Sequence, residues 1–541
     1  METTTLNYFH GSREVTLRYW SSKWGNEWEP HQIILGTPLV FVADTGRSSE
    51  NFHPFFVISD TNNSYAYAIQ WSGNWSVQIA RIGGSVQITL ESENPNLVGI
   101  GAHVVSGLWE DATNQLLKDF REKHFATRKL AMKTEWNHWW PYEGTLINED
   151  VFLRNAQVAQ QCGIEVAVLD SGWFGSGAWE DHRGDWNQVN LTRFPSGLSG
   201  LANKTRALGI EFGIWFELES VGRESELQNK HPEYLAKRDG IPLETLCFAN
   251  PHAFRWALGQ LLQTIQDTKP SWIKFDFNHS PGFGCNRVDH GHTATDGHLL
   301  HIENFYLLLE KVRAEYPEIT LENCSSGGLR NDYGMAQRVD FCFGSDRDWP
   351  EHALSVFWAH SHFFPAETFL GWCDSEWLAD QPNQNFKLDT INVEGQLHFI
   401  LAVTLLGGFG LSQRLENFTP EQRNILRTYV ELYRHSLRPR YQNKASIKYL
   451  SDQPGRAQEG ARTVGFAIET TMYPPLVMVF QLPGASETKI TYAVNTDGVS
   501  YEAVDLITGQ HSEVISVDGN LVFDLPLAPN TAYLYEIRLG S

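Results

Sequence analysis

Between residues 126 and 438 the chain alternates two hydrophobic periods, and that alternation constrains the fold more than any other feature. The short runs "TEWNHWW", "EVAVLD", "EFGIWF", "IKFDF", "ITLENC" and "VDFCFGSD" are rich in β-branched and aromatic residues and read as strands. Longer runs between them, such as "NEDVFLRNAQVAQQCG", "HAFRWALGQLLQTIQ" and "LHIENFYLLLEKVRAEYP", carry helical patterns. Strands separated by helices form a parallel sheet, and strands apolar on both faces suit one covered by helices. The stretch has the size of one (β/α)8 barrel. On either side the chain reads as β: "LVFVADTG", "PFFVIS", "SYAYAIQWSG" and "GSVQITLES" before it, "RTVGFAIET", "LVMVFQL" and "KITYAV" after it. The expected fold is multidomain: a central (β/α)8 TIM barrel over 126–438, an N-terminal β-sandwich over 1–125 and a C-terminal β-sandwich over 439–541.

Charge narrows the partners. The 42 basic and 64 acidic residues give a net charge of −22, which argues against a nucleic-acid footprint and against a basic anchor for anionic membranes. A neutral small substrate fits better. The six cysteines, at 162, 247, 285, 324, 342 and 373, include no CxxC pair. They read as reduced thiols of a cytoplasmic protein rather than a disulfide frame or a zinc site. No run reaches the length of a membrane span; "FILAVTLLGGFGL" is too short and broken by glycine. The N-terminal residues lack the apolar stretch of a signal peptide.

Polar residues recur where the middle strands end: His138, Asp170, Glu217 and Glu219, Lys274 and Asp276, Glu322, Asn323 and Cys324, Ser345 and Asp346. In a barrel those ends converge on one face. One aspartate after a strand is usually a cap or a turn former; six acidic or polar strand ends are harder to explain that way. An acidic barrel mouth suits metal-assisted chemistry or glycoside hydrolysis by two carboxylates. A metal would want two or three histidines beside the carboxylates, and only His138 stands at such a strand end. The histidines at 279, 290, 292 and 298 lie on the loop after Asp276 and read as a polar lid. Tryptophans at 136, 139, 140, 173, 186 and 215 favour a sugar, although each alone is as readily core.

At these residues the sequence resembles the glycoside hydrolase family 36 α-galactosidases, the melibiases, in the clan that includes families 27 and 31. The likeness runs in order through "GRSSENFHPFF", "WSGNWSVQI", "VLDSGWFG", "LGIEFGIWFELESV", "HPEYL", "IKFDFN", "ENCSSGGLRND" and "SDRD". It implies a retaining, exo-acting hydrolase of terminal α-galactosyl residues that needs no cofactor and no metal. By resemblance Asp276 is the nucleophile, and Asp346, rather than Asp348, is the acid/base. Lys274, on the same strand face as Asp276, is expected to lower its pKa and to donate to sugar hydroxyls. Asp170 would bind galactose O4 and O6, Trp215 would wall the pocket, Cys324 and Gly327 would face O2, and Asn278 would support the nucleophile strand. Glu217 and Glu219 match a family pair to which we assign structural work.

Three departures concern the sugar. "DSGW" puts Ser171 where the family has a second aspartate. "IPLETLCFANP" offers no counterpart to a family arginine before the fourth strand. "WNHWW" places His138 near the mouth. The alternatives left open are the same chemistry on an α-N-acetylgalactosaminide or a β-L-arabinopyranoside, transfer to a sugar acceptor, and non-hydrolytic sugar binding. Assembly is open too: residues 45–56 would approach a neighbouring subunit's site in a homo-oligomer, or form a simple turn of the sandwich.

Overall fold

The computed structural model describes residues 1–125, 128, 130–346, 349–374, 396–455 and 459–540. At its centre eight parallel strands close into a barrel: β1 (Glu135–Asn137), β2 (Val166–Leu169), β3 (Glu211–Phe216), β4 (Trp272–Phe275), β5 (Thr320–Asn323), β6 (Phe341–Phe343), β7 (Phe369–Asp374) and β8 (Gly408–Ser412). Closure comes from β1 pairing with β8, Trp136 opposite Leu411. All six runs read as strands contribute to the barrel. The two further strands lie in glycine-containing segments, and the "FILAVTLLGGFGL" run divides into helix Gln396–Val403 and β8.

Cap chemistry sets the helix ends. Helix Pro251–Thr268 starts with Asn250 accepting from the His252 N–H and proline in its first turn, and it stops at Lys269 in the left-handed region, φ 48°. Its buried face (Phe254, Ala257, Leu261, Ile265) packs toward the barrel, so β4 is covered from outside.

The strands of residues 2–105 form two antiparallel sheets of four and five strands. Phe41 of one sheet meets Phe52 of the other at 5.1 Å between ring centroids, as a sandwich requires. The "β" reading of 1–125 missed one element, helix Trp109–His124, whose buried Leu116 and Phe120 face the core. Beyond the barrel, a six-stranded and a two-stranded antiparallel sheet enclose Ala467, Val477, Val479, Ile490, Tyr492, Leu521 and Phe523.

Candidate active site

A cavity of about 470 Å³ opens at the C-terminal ends of the barrel strands. Its walls include Asp170 and Ser171 after β2, Trp215 on β3, Lys274 on β4, Asp276 and Asn278 beyond it, Cys324 and Ser326 after β5, and Asp346 after β6. Five tryptophans, Trp24, Trp139, Trp140, Trp179 and Trp215, complete it. The volume and the mix of aromatic faces with a few polar groups suit one or two sugar rings.

The two aspartates differ in the hydrogen-bond donors that face them. Asp276 accepts from four N–H groups: the backbone of Phe277 (2.8 Å) and Ser326 (3.3 Å) on Oδ1, Asn278 Nδ2 (2.8 Å) and Trp215 Nε1 (3.3 Å) on Oδ2. Asp346 accepts from Trp24 Nε1 at 2.8 Å. Burial and the negative charge of Asp276 push the Asp346 pKa up to about 7. Lys274 does lower the Asp276 pKa by its charge, as expected, but the net shift is upward. Burial raises it first and Glu217 second, and Lys274 only opposes them. The reason is geometric: Lys274 Nζ is engaged by Asp170 Oδ2 at 3.1 Å and lies 4.2 Å from the Trp372 ring centroid. The donors around Asp276 stabilise its ionised form; the surroundings of Asp346 favour the neutral acid.

The remaining expected residues divide into wall and support. Asp170 is held by Asn137 Nδ2 (2.8 Å), Lys274 and the Ser171 N–H (2.8 Å). Ser171 Oγ is buried and has no hydrogen-bond partner. His138 does not line the cavity. It is fully buried behind Asp170, whose N–H donates to its Nδ1 at 3.0 Å, and burial lowers its pKa to about 4. Gly327 also stays off the wall. Its φ of 74° suits glycine, and a Cβ there would lie 2.7 Å from the Asp346 N. It therefore sets how closely the β5 loop approaches Asp346. Glu217 receives the Asn278 N–H (2.7 Å) and Arg183. Glu219 takes Arg330 bidentately (3.0 and 2.8 Å) and His301 (2.9 Å). Burial works against its ionisation, yet Arg330 and His301 hold its pKa down to about 2. The loop histidines are not a lid. His279 lines the cavity, while His290, His292 and His298 are buried away from it. Asp348 lies outside the described residues.

Several residues on the wall (Trp24, Arg183) or directly behind it (Glu27, Arg47) carry no motif that sequence reasoning could use. Trp24 and Glu27 come from the turn joining strands Thr16–Ser22 and Glu29–Ile34 of the N-terminal sandwich. Glu27 Oε2 accepts from Ser345 Oγ at 2.6 Å, beside Asp346. Residues 45–56 reach the site of their own chain: Arg47 donates to the Phe277 carbonyl (3.2 Å) and Ser326 Oγ (3.0 Å). Arg183, just before the "GDW" motif, puts a guanidinium on the wall from the loop after β2. A tryptophan at the tip of "SSKWGNEW" was the only hint of the first group.

Comparison with known proteins bears on this geometry. The family model described as Melibiase matches residues 106–440. An α-galactosidase of Escherichia coli is 27% identical over 379 residues, covering 64% of this chain and 52% of the relative. The α-galactosidase AgaA of Geobacillus stearothermophilus is 26% identical over 446 residues, covering 76% and 59%. The chain thus spans little more than half the length of these curated relatives. The solved structure of AgaA superposes with a TM-score of 0.82 at 19% identity, over 99% of this chain and 76% of that one. AgaA variants have been solved with stachyose and with raffinose.

Proposed function

The chain belongs to the melibiase family, and from that premise we propose that it is a retaining, exo-acting α-galactosidase. The observation that carries this reading is the contrast between Asp276, with four N–H donors on its carboxylate, and Asp346, held as a neutral acid up to about pH 7, on one tryptophan-walled cavity. Asp276 attacks the anomeric carbon while Asp346 protonates the departing glycosidic oxygen, giving a β-linked glycosyl-enzyme. Asp346, now ionised, takes a proton from water, which attacks the same carbon and releases galactose with its α configuration retained. Asp170 and Lys274 grip sugar hydroxyls, Trp215 packs on the ring, Asn278 and the Ser326 N–H of the β5 loop hold Asp276, and Cys324 on that loop faces O2, with Gly327 letting the loop pack against Asp346. His138 acts behind the wall by fixing Asp170. Raffinose-type oligosaccharides are the substrate class, in keeping with the ligands of the AgaA structures.

The test is turnover of p-nitrophenyl α-galactopyranoside by the protein and by Asp276→Ala. The variant should lose at least about a thousand-fold in kcat, an order of magnitude suited to loss of a group acting as a unit with its partner. Added azide should restore cleavage: entering from the β face that the Asp276 carboxylate vacates, it displaces the aglycone in one inverting step and gives the β-galactosyl azide. Undiminished turnover by Asp276→Ala ends this reading.

The unpartnered Ser171 hydroxyl favours a second reading on the same chemistry, a glycone other than galactose, such as a β-L-arabinopyranoside without the C6 hydroxyl or an α-N-acetylgalactosaminide. Transfer to a sugar acceptor is distinguished by product analysis at high acceptor concentration. The acidic composition and six buried free thiols support a cytoplasmic setting. Among the described residues no helix is long and apolar enough to cross a membrane. We take 1–125, 126–438 and 439–541 as the domain units.

A further inference from the structure

The loop that follows the Asp276 strand runs from β4 to helix Gly297–Glu315 with one short 3-10 turn, Val288–His290, as its regular structure. Loops of this length need something to hold them. Here four potential ligands meet. Cys285, His290 and His292 from the loop join Cys247, which follows strand Ile241–Leu246. All four residues are buried, and one donor atom from each lies within 4.8 Å of the others. None of them lines the cavity. The geometry points to a structural Zn²⁺ site of Cys2His2 type, formed by Cys247, Cys285, His290 and His292, that clamps the loop behind the cavity to the hairpin Leu235–Leu246.

Two of the ligand–ligand edges have the length a tetrahedron requires. With Zn–S near 2.3 Å and Zn–N near 2.0–2.1 Å, a tetrahedral ion sets each S···N edge at about 3.6 Å. The observed edges are 3.4 Å from Cys247 Sγ to His292 Nε2 and 3.7 Å from Cys285 Sγ to His290 Nδ1. The His292 ring is oriented as a ligand should be: Nδ1 donates to the Thr293 carbonyl at 2.6 Å, which leaves the Nε2 lone pair facing Cys247. The His290 ring is buried and turns its Nδ1 toward Cys285, so that nitrogen is the one placed to ligate. Backbone closes round the cluster. A Cβ at Gly297 would lie 2.1 Å from the Cys285 carbonyl oxygen and 2.6 Å from His292 Cε1. Two thiols with two imidazoles select zinc over magnesium or calcium. Four protein ligands leave no open position, so the role is structural and not catalytic.

Metal analysis of the purified full chain tests this without reference to turnover. About one zinc per chain is expected, retained by Cys162→Ser and lost from Cys285→Ser and from His292→Ala. So that the result does not depend on those variants folding, the unaltered protein is also stripped with a chelator and reloaded with Co²⁺. Tetrahedral cobalt d–d bands with thiolate-to-cobalt charge transfer should then develop and disappear on adding Zn²⁺. Folded protein from zinc-supplemented growth that carries no metal and gives no cobalt–thiolate bands overturns the proposal. So does a Cys247–Cys285 disulfide in the mass of the unreduced protein, or equal metal loss from Cys162→Ser.

Discussion

At position 171 a hydroxyl stands on the cavity wall beside the Asp170 carboxylate, buried and with no hydrogen-bond partner. A carboxylate there would accept two charge-assisted hydrogen bonds, each roughly twice as strong as a neutral one. If Ser171 is what loosens recognition of galactose, Ser171→Asp should raise kcat/KM for p-nitrophenyl α-galactopyranoside by about ten-fold, the equivalent of roughly 1.4 kcal/mol. The gain on the β-L-arabinopyranoside, which lacks the C6 hydroxyl, should be smaller. Equal changes on both substrates would remove Ser171 from the specificity argument. The substitution itself is visible in the sequence, as are Asp170, Lys274, Asp276 and Asp346, because each sits at a strand end where alternation fixes its direction. What the sequence does not show is that burial and Glu217 outweigh the lowering by Lys274. Lys274 and Asp276 share a strand face, but Asp170, at the end of β2 with β3 between it and β4, takes the ammonium, and only the barrel brings those two together.

Among the elements, the turn between Thr16–Ser22 and Glu29–Ile34 does the most for the site from the greatest distance in sequence. Trp28 adopts φ 59°, stacks on His53 at 3.6 Å and donates its N–H to that ring. That anchor lets Trp24 reach Asp346, 322 positions away. The Trp24 N–H bonds the carboxylate and lowers its pKa against the larger effects of burial and Asp276. Trp24→Phe keeps the aromatic face and removes the donor, so the Asp346 pKa should rise further. Catalysis requires that acid protonated, so the alkaline limb of the kcat/KM profile, expected near pH 7, should move to higher pH while the acid limb stays. An unmoved alkaline limb would mean that Asp346 is not the group titrating there. Barrel strands with clear periodicity were legible. This turn was not, because a contact between a sandwich loop and β6 leaves no local pattern. The cluster at 247, 285, 290 and 292 escaped because Cys247 lies 38 positions before Cys285 (285 − 247), so the short run from Cys285 to His292 showed no second thiol and its histidines read as a lid.

For the molecule as a whole, one apolar core joins the N-terminal sandwich, the barrel and the inner C-terminal sheet. Phe55 stacks on Phe363 at 4.7 Å, and Phe357 meets Phe466 at 5.3 Å. Such a core fixes the barrel mouth and also removes water from its acids. Burial raises the pKa of Glu135, Glu322, Asp346 and Asp374, with Glu322 and Asp346 each at about 7. In the unfolded chain these carboxyls titrate near 4. Their folded values are higher, so the folded state binds more protons between about pH 4 and 7. The stability this confers is complete below the unfolded value and is lost as pH rises through the folded one. Glu219 has the opposite sign: with a folded pKa of about 2, its contribution is intact above about pH 4.5 and lost only below. The share of stability that these carboxyls contribute should therefore decline from pH 5 toward pH 8, whereas the buried histidines, His138 at about 4 among them, bind fewer protons folded than unfolded and contribute more as pH rises toward 6.5. Asp346→Asn substitutes a neutral group for one that must ionise inside the mouth. Its melting temperature should match the unaltered protein near pH 5 and exceed it near pH 8, while turnover falls by roughly 10²- to 10⁴-fold with loss of the general acid. Thermal unfolding of both proteins at the two pH values decides it. An identical difference at both would show that Asp346 does not titrate between them, and the acid role assigned to it would fall with that result.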